Sequence, residues 1–157
     1  MKDLRRIAFC LLFLLMSSAV YSEGGIVTPI ISDLRWFPQG NKAIFVVSQK
    51  DGTKLVIAGK DGGIIKEIQK NIIGYEISPD GSKVAYYVGA DNNELWILSA
   101  DNLREEIIAS GEIRYFYWDK SGENILYTKT NSGRQGVYVI DLATKMETEI
   151  FSYALEK

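Results

Sequence analysis

Histidine is absent from the sequence, and cysteine occurs once, at position 10. Without histidine there is no Ser-His-Asp or Cys-His catalytic group and no histidine-ligated zinc. The sequence also lacks a Gly-x-Ser-x-Gly nucleophile elbow, a phosphate-binding loop and a Gly-x-Gly-x-x-Gly dinucleotide motif. These absences predict a protein that is not an enzyme and that uses no cofactor and no metal ion.

What the sequence does contain favours strands. Aromatic residues make up 11% of the chain and include nine tyrosines, which are enriched in β-sheets. The hydrophobic fraction is 46% and the charged fraction 24%, a balance typical of a globular chain that buries a core. We therefore predict an all-β fold.

Residues 1–22 are typical of an export signal. Three basic residues among the first six precede an apolar run at 7–16, and small residues follow it. Cleavage after Ser22 or after Ala19 fits this pattern. The run is shorter than the ~20 residues that span a bilayer. We predict a cleaved signal peptide, a periplasmic or secreted mature chain and no stable membrane insertion after cleavage; an uncleaved N-terminal membrane anchor is the alternative.

The predicted mature chain is mildly acidic. Removing residues 1–22 takes away three Lys or Arg and one Asp, so 15 basic and 19 acidic residues remain, a net charge of −4. Nucleic acids and anionic membrane surfaces require a basic face. We therefore expect neither as a partner. The cleavage also removes Cys10, which leaves no disulfide or thiol chemistry in the mature chain.

A repeat of 41 residues organises the mature chain. Gly40, Gly81 and Gly122 lie 41 residues apart, and each is followed by an apolar strand-like segment. A period of this length is typical of repeat architectures. Each repeat also contains a second apolar segment, at residues 55–58, 95–98 and 137–140. These segments recur at nearly the same spacing as the glycines.

Each repeat divides into four short strands joined by turns. In the second repeat the strands are predicted at 73–78, 83–89, 94–100 and 105–110. Its first turn is chemically well specified, because Pro79 presets φ, Asp80 bonds to its own backbone and Gly81 accepts a positive φ. Gly40 and Gly122 mark the same turn in the other repeats.

Consecutive hairpins of this kind form an up-and-down sheet, which is one blade of a β-propeller. The middle strands are apolar on both faces, as expected for a sheet packed between two others. We predict three four-stranded antiparallel blades within residues 23–157, at about 30–70, 71–111 and 112–152. The fold is then a partial propeller or half of a six-bladed ring.

The second repeat carries a family resemblance in the segment Ile77-Ser78-Pro79-Asp80-Gly81-Ser82-Lys83 and in Glu94-Leu95-Trp96-Ile97-Leu98. These residues resemble the WD-repeat-like blades of the TolB family, which also occur in propellers of prolyl oligopeptidase relatives. The resemblance implies an exported, non-catalytic module that binds proteins, with a peptidoglycan-associated lipoprotein as the implied partner and envelope maintenance as the role. The alternative is a carbohydrate- or peptide-binding accessory propeller of a hydrolase, without its catalytic domain.

Three blades are too few to close a ring, which takes about four to eight. The apolar faces of the first and last sheets therefore need a cover. The chain is expected to continue as a longer propeller, to self-associate head to tail through the open blade faces, or to bind a protein partner there.

Aromatic residues on the predicted innermost strands provide the candidate ligand contacts. Arg114, Tyr115 and Tyr117 are the candidates for facing a central channel and contacting a sugar or an extended peptide; the alternative, which we favour, is that the aromatic series packs between blades. For Trp36, Ile77 and Trp118, which share one register position, the prediction is packing between blades.

Overall fold

A computed structural model describes residues 28–89 and 92–155. The predicted signal peptide with its two candidate cleavage sites and Cys10 lie outside the described residues. Within them the chain forms twelve β-strands and no helix. The strands are β1 Ile30–Trp36, β2 Lys42–Gln49, β3 Gly52–Gly59, β4 Ile64–Gln69, β5 Ile72–Ile77, β6 Lys83–Val88, β7 Glu94–Ser99, β8 Glu105–Ser110, β9 Glu112–Trp118, β10 Asn124–Asn131, β11 Arg134–Asp141 and β12 Glu147–Ala154.

The twelve strands form three separate four-stranded sheets. Each sheet takes four consecutive strands in sequence order, and every neighbouring pair is antiparallel. We call the sheets blade 1 (β1–β4), blade 2 (β5–β8) and blade 3 (β9–β12). The predicted all-β fold of three four-stranded blades is confirmed. Blade 1 forms one compact unit, and blades 2 and 3 together form a second.

The first hairpin of every blade is closed by the same turn. In blade 2 the amide of Gly81 donates to the carbonyl of Ser78, and the amide of Ser78 donates to the carbonyl of Lys83. Gly40 and Gly122 make the corresponding bonds in blades 1 and 3. All three glycines have φ between 65° and 72°, a left-handed conformation that penalises any side chain with a Cβ. The 41-residue spacing of glycine therefore follows from the turn geometry.

Blade 1 carries apolar side chains on both faces. Ile44 and Ile57 lie opposite each other in the β2–β3 ladder and are buried, on one face. Phe45 and Val56 are paired on the other face, where they form a small buried cluster with Val47. Trp36 lies on that second face and is 60% exposed. The prediction that it packs between blades is therefore wrong within a single chain.

Blades 2 and 3 pack face to face through one hydrophobic cluster. Blade 2 contributes Ala85, Tyr87, Leu95, Ile97 and Ala109, and blade 3 contributes Ile113, Phe116, Ile125, Tyr127 and Ile140. The Tyr87 hydroxyl bonds to Asn93 Oδ1 at 2.8 Å and accepts a bond from the amide of Ile113 at 3.3 Å, so its oxygen is satisfied inside the interface. The indole of Trp118 donates to the carbonyl of Glu76 at 3.1 Å, which adds a polar link between the two blades.

Candidate interaction surface

The predicted channel residues lie on β9, the innermost strand of blade 3. Arg114 and Tyr115 fall at a bulge, where the β9–β10 register shifts between Tyr127 and Lys129. A bulge inserts an extra residue and changes which face the following side chains occupy. Tyr115 and Tyr117 are exposed, whereas Phe116 between them is buried in the interface with blade 2. Both tyrosine rings are therefore available for contacts outside blades 2 and 3.

Arg114 has its partner within its own strand. Its guanidinium lies 2.9 Å from Glu112 Oε1, and both side chains are more than half exposed. The hydrogen bond to Glu112 raises the pKa of Arg114 above its ordinary value. This pair neutralises the guanidinium locally, so Arg114 does not provide a free cation beside the two tyrosines.

The face of blade 3 that points away from blade 2 is apolar and open. Residues directly opposite in a ladder share a face, and by this rule the face carries Tyr117, Leu126 and Val139 in one row and Val137 and Phe151 in the next. Tyr117 is 55% exposed, Leu126 41% and Phe151 59%. We call these five residues the open face of blade 3. Contiguous exposed apolar side chains of this kind mark interaction sites on soluble proteins.

In blade 2 the equivalent face is covered by blade 3. Its ladder pairs Ala85 with Ile97 and Tyr87 with Leu95, and all four residues are buried against blade 3. In blade 3 the same ladder positions hold Leu126 opposite Val139 and Thr128 opposite Val137. The open face therefore has the register and the apolar character of a surface that buries another sheet.

Further aromatic residues surround the open face. Tyr153 lies opposite Gln135 on the same face, next to Phe151, and their rings have centroids 6.3 Å apart. Neither the repeat nor the aromatic series of the sequence pointed to Leu126, Phe151 or Tyr153 as contact residues. The signal that identifies Leu126 and Phe151 is the size change against the second repeat, where Ala85 and Ala109 stand at their positions.

The opposite face of blade 3 carries a structural polar network. Tyr127 donates to Glu147, and Lys129 Nζ lies 2.7 Å from Glu147 Oε1 and 4.6 Å from the ring centroid of Tyr138. Burial, followed by the hydrogen bond to Glu147, raises the pKa of Tyr127. Burial and Glu105 raise that of Tyr86 in the same way. Both hydroxyls stay protonated at neutral pH, so they serve as hydrogen-bond donors and not as bases.

The turns of blades 2 and 3 contain the same hydrogen bond with its partners exchanged. The hydroxyl of Ser78 donates to Asp80 at 2.7 Å, and the hydroxyl of Ser121 donates to Asp119 at 2.7 Å. The bond from Ser78 is the largest cause that lowers the pKa of Asp80, to about 2. Gly122 lies against this turn, so a methyl group at this position would come within 3.7 Å of the Asp80 and Pro79 side chains. The predicted turn residues of the two repeats are thus neighbours in space.

A shallow cleft of about 380 Å³ lies beside blades 2 and 3. Lys83, Asp101, Arg104 and Glu106 line it, and Glu106 also forms an ion pair of 2.6 Å with Lys145. The two cations and two anions that line it are balanced, so the cleft favours neither an anionic nor a cationic ligand. Across residues 28–89 and 92–155, no group of three or more metal-ligating side chains is present and no helix is long and apolar enough to cross a membrane.

The fold places the chain in the class of β-propeller proteins, with three blades present. Its solved structural neighbours are propeller domains. The β-propeller domain of the Trilobed protease from Pyrococcus furiosus has a TM-score of 0.68 at 22% identity and matches 80% of this chain. TolB from Acinetobacter baumannii has a TM-score of 0.59 at 19% identity over 71% of the chain. Acylaminoacyl peptidase from Pyrococcus horikoshii has a TM-score of 0.67 at 19% identity over 80%.

These similarities confirm the resemblance to TolB-like and peptidase-type blades at the level of the fold. The chain spans 43% of the Trilobed protease propeller, 31% of TolB and 25% of the acylaminoacyl peptidase. No protein-family profile and no curated protein sequence matches it.

Proposed function

We propose that this chain is an exported, non-catalytic propeller module of the TolB-like type that binds a protein through the open face of blade 3. The observation that carries the proposal is the exposure of Leu126 and Phe151. The residues at the same ladder positions in blade 2, Ala85 and Ala109, are buried against blade 3. Covering an apolar sheet face of this kind is favourable, by roughly 25 cal/mol per Å² of apolar surface removed from water.

The chemistry of the chain favours a scaffold over an enzyme. The chain has no histidine, its buried tyrosine hydroxyls are held protonated, and Arg114 is paired with Glu112. Tyr117 is a suitable anchor for a protein partner, because tyrosine offers a large rigid ring with a polar end. Export of the chain is the setting we propose for this binding, on the basis of residues 1–22.

Photocrosslinking in cells tests the proposal. The full chain is expressed with its own leader, and Tyr117 is replaced by the photoreactive residue benzoylphenylalanine. We expect a light-dependent protein adduct, identified by mass spectrometry. The matched control carries the same residue at Met146, which is 65% exposed but lies in the segment between β11 and β12. Absence of an adduct at position 117, or equal yields at both positions, contradicts the proposal.

The aromatic rings around the open face favour a second candidate, an accessory module for an extended carbohydrate or peptide. Tyr115, Tyr117 and Tyr153 are exposed, and such rings stack on sugars. Titration of the purified chain with a soluble glucan and with an unstructured peptide, followed by tyrosine fluorescence, distinguishes this candidate. Saturable quenching that is lost in Tyr117→Ala favours it, and an unchanged signal with both ligands excludes it.

A further inference from the structure

Side-chain sizes on the open face differ from those on the covered face of blade 2 in both directions. Thr128, Val137 and Val139 are smaller than their blade 2 counterparts Tyr87, Leu95 and Ile97, whereas two positions are larger. Blade 2 has small residues, Ala85 and Ala109, which are buried against blade 3. At the same ladder positions the open face has Leu126 and Phe151. A partner that covers the open face must therefore offer small side chains opposite Leu126 and Phe151, because packed interfaces tolerate little excess volume.

Blade 1 differs from blade 3 in the opposite direction, because it has small side chains where blade 3 has large ones. Blade 3 presents Ile125 and Ile140 to blade 2, and these two residues are opposite each other in the β10–β11 ladder. The same ladder position in blade 1 pairs Ala43 with Ala58. Both alanines are half-buried, on the face that carries the Phe45 cluster. Large residues on the open face of blade 3 thus correspond to small residues on this face of blade 1.

We infer that the open face of blade 3 packs against the Ala43 and Ala58 face of blade 1 in a second copy of the chain. The inference deepens the proposed function and rests on it. Two copies supply six blades, within the range of about four to eight that closes a propeller. The contact is head to tail, because it joins two different surfaces of the chain.

Trp36 provides an independent reason for this occupant. It occupies the register position of Trp118, since the two residues lie opposite Ala43 and Ile125 respectively. Trp118 donates its indole N–H to the carbonyl of Glu76 in the preceding blade. In the proposed contact the exposed indole of Trp36 donates to the equivalent carbonyl, that of Tyr117, in the second copy. The predicted interface therefore repeats a hydrogen bond already present between blades 2 and 3.

Two exposed residues allow a test that leaves the fold of the monomer intact. Trp36→Glu places a charge on the blade 1 side and Phe151→Glu on the blade 3 side, and the wild-type side chains are 60% and 59% exposed. Sedimentation equilibrium of the full chain is expected to show a dimer for the wild type. Each variant should associate on the order of 100-fold more weakly, because the dimer would bury an unpaired carboxylate. Met146→Glu is the control and should leave the dimer unchanged. Circular dichroism checks that every variant is folded.

Mixing the two variants separates a head-to-tail contact from a symmetric one. A Trp36→Glu copy retains its blade 3 face and a Phe151→Glu copy retains its blade 1 face, so an equimolar mixture should recover a 1:1 complex. A symmetric contact between two blade 3 faces predicts a normal dimer for Trp36→Glu and no recovery on mixing, and either result overturns the inference.

The crosslink at position 117 distinguishes failure of this inference from failure of the proposed function. An adduct between position 117 and a peptide containing Trp36 of another copy supports both. A monomeric wild type whose position 117 links to a different protein overturns the second copy as the occupant and leaves the protein-binding function standing. A monomer without any adduct overturns both.

Discussion

Ile125 and Leu126 are neighbours in β10 whose side chains lie on opposite faces of blade 3, so truncating each of them tests the assignment of the faces. Ile125 is fully buried, in the cluster between blades 2 and 3, and Leu126 is 41% exposed on the open face. Ile125→Ala should lower the free energy of unfolding by about 3 kcal/mol, within the range for buried aliphatic residues truncated to alanine. Leu126→Ala should cost only about 1 kcal/mol, because much of this side chain is already in water.

The comparison is matched in position, because both substitutions put alanine into the same strand. Ile125 also loses the strand preference of a β-branched residue, which is only a fraction of a scale that spans about 1 kcal/mol. A difference of about 2 kcal/mol between them should therefore remain, measured by urea unfolding followed by circular dichroism in dilute solution. Equal losses, or a larger loss for Leu126, would refute the register, because a slip of one residue exchanges the two faces. Repeating the measurement at high protein concentration should increase the cost of Leu126→Ala alone if a second copy covers the open face.

Three further outcomes follow from the contacts of blades 2 and 3. Asp80→Asn should lower stability by about 0.5–1 kcal/mol at neutral pH, a value reduced for solvent screening. Because the folded pKa of Asp80, about 2, lies below its ordinary value of 3.8, this difference should shrink as the pH falls from 3.8 toward 2, in urea titrations at several pH values. Trp118→Phe should cost about 1 kcal/mol by loss of the bond to the Glu76 carbonyl, and an unchanged urea midpoint would contradict this role. Gly122→Ala should lower the melting temperature because φ is 72° there, whereas Gly74→Ala, in open space without a positive φ, should not.

The repeat made the fold predictable from the sequence. Turn glycines at a fixed spacing define where each first hairpin closes, and local turn chemistry is sufficient to specify that geometry. The strands predicted for the second repeat lie within one residue of β5–β8. Strand pairing between consecutive segments requires no long-range information, which explains why the architecture followed directly from the pattern.

The interaction surface was only partly predictable. The aromatic series of β9 pointed to Tyr115 and Tyr117 but not to Leu126 or Phe151. Which side chains share a face depends on the bulge at residues 114 and 115, because an extra residue there breaks the simple alternation along β9. Exposure of these side chains depends on which sheet lies alongside, and a single repeat carries no information about its neighbour.

The exchanged serine and aspartate of the two turns constrain how such repeats diverge. Ser78 with Asp80 and Asp119 with Ser121 are equivalent solutions, since both place one hydroxyl and one carboxylate at hydrogen-bonding distance. A single substitution that starts from either arrangement gives two carboxylates, which repel each other, or two hydroxyls, which form a weaker bond. Of the two single-substitution intermediates between these turns, the one with two serines is therefore the less destabilised. A column-by-column comparison of repeats would score both positions as mismatches, although the pair retains its chemistry.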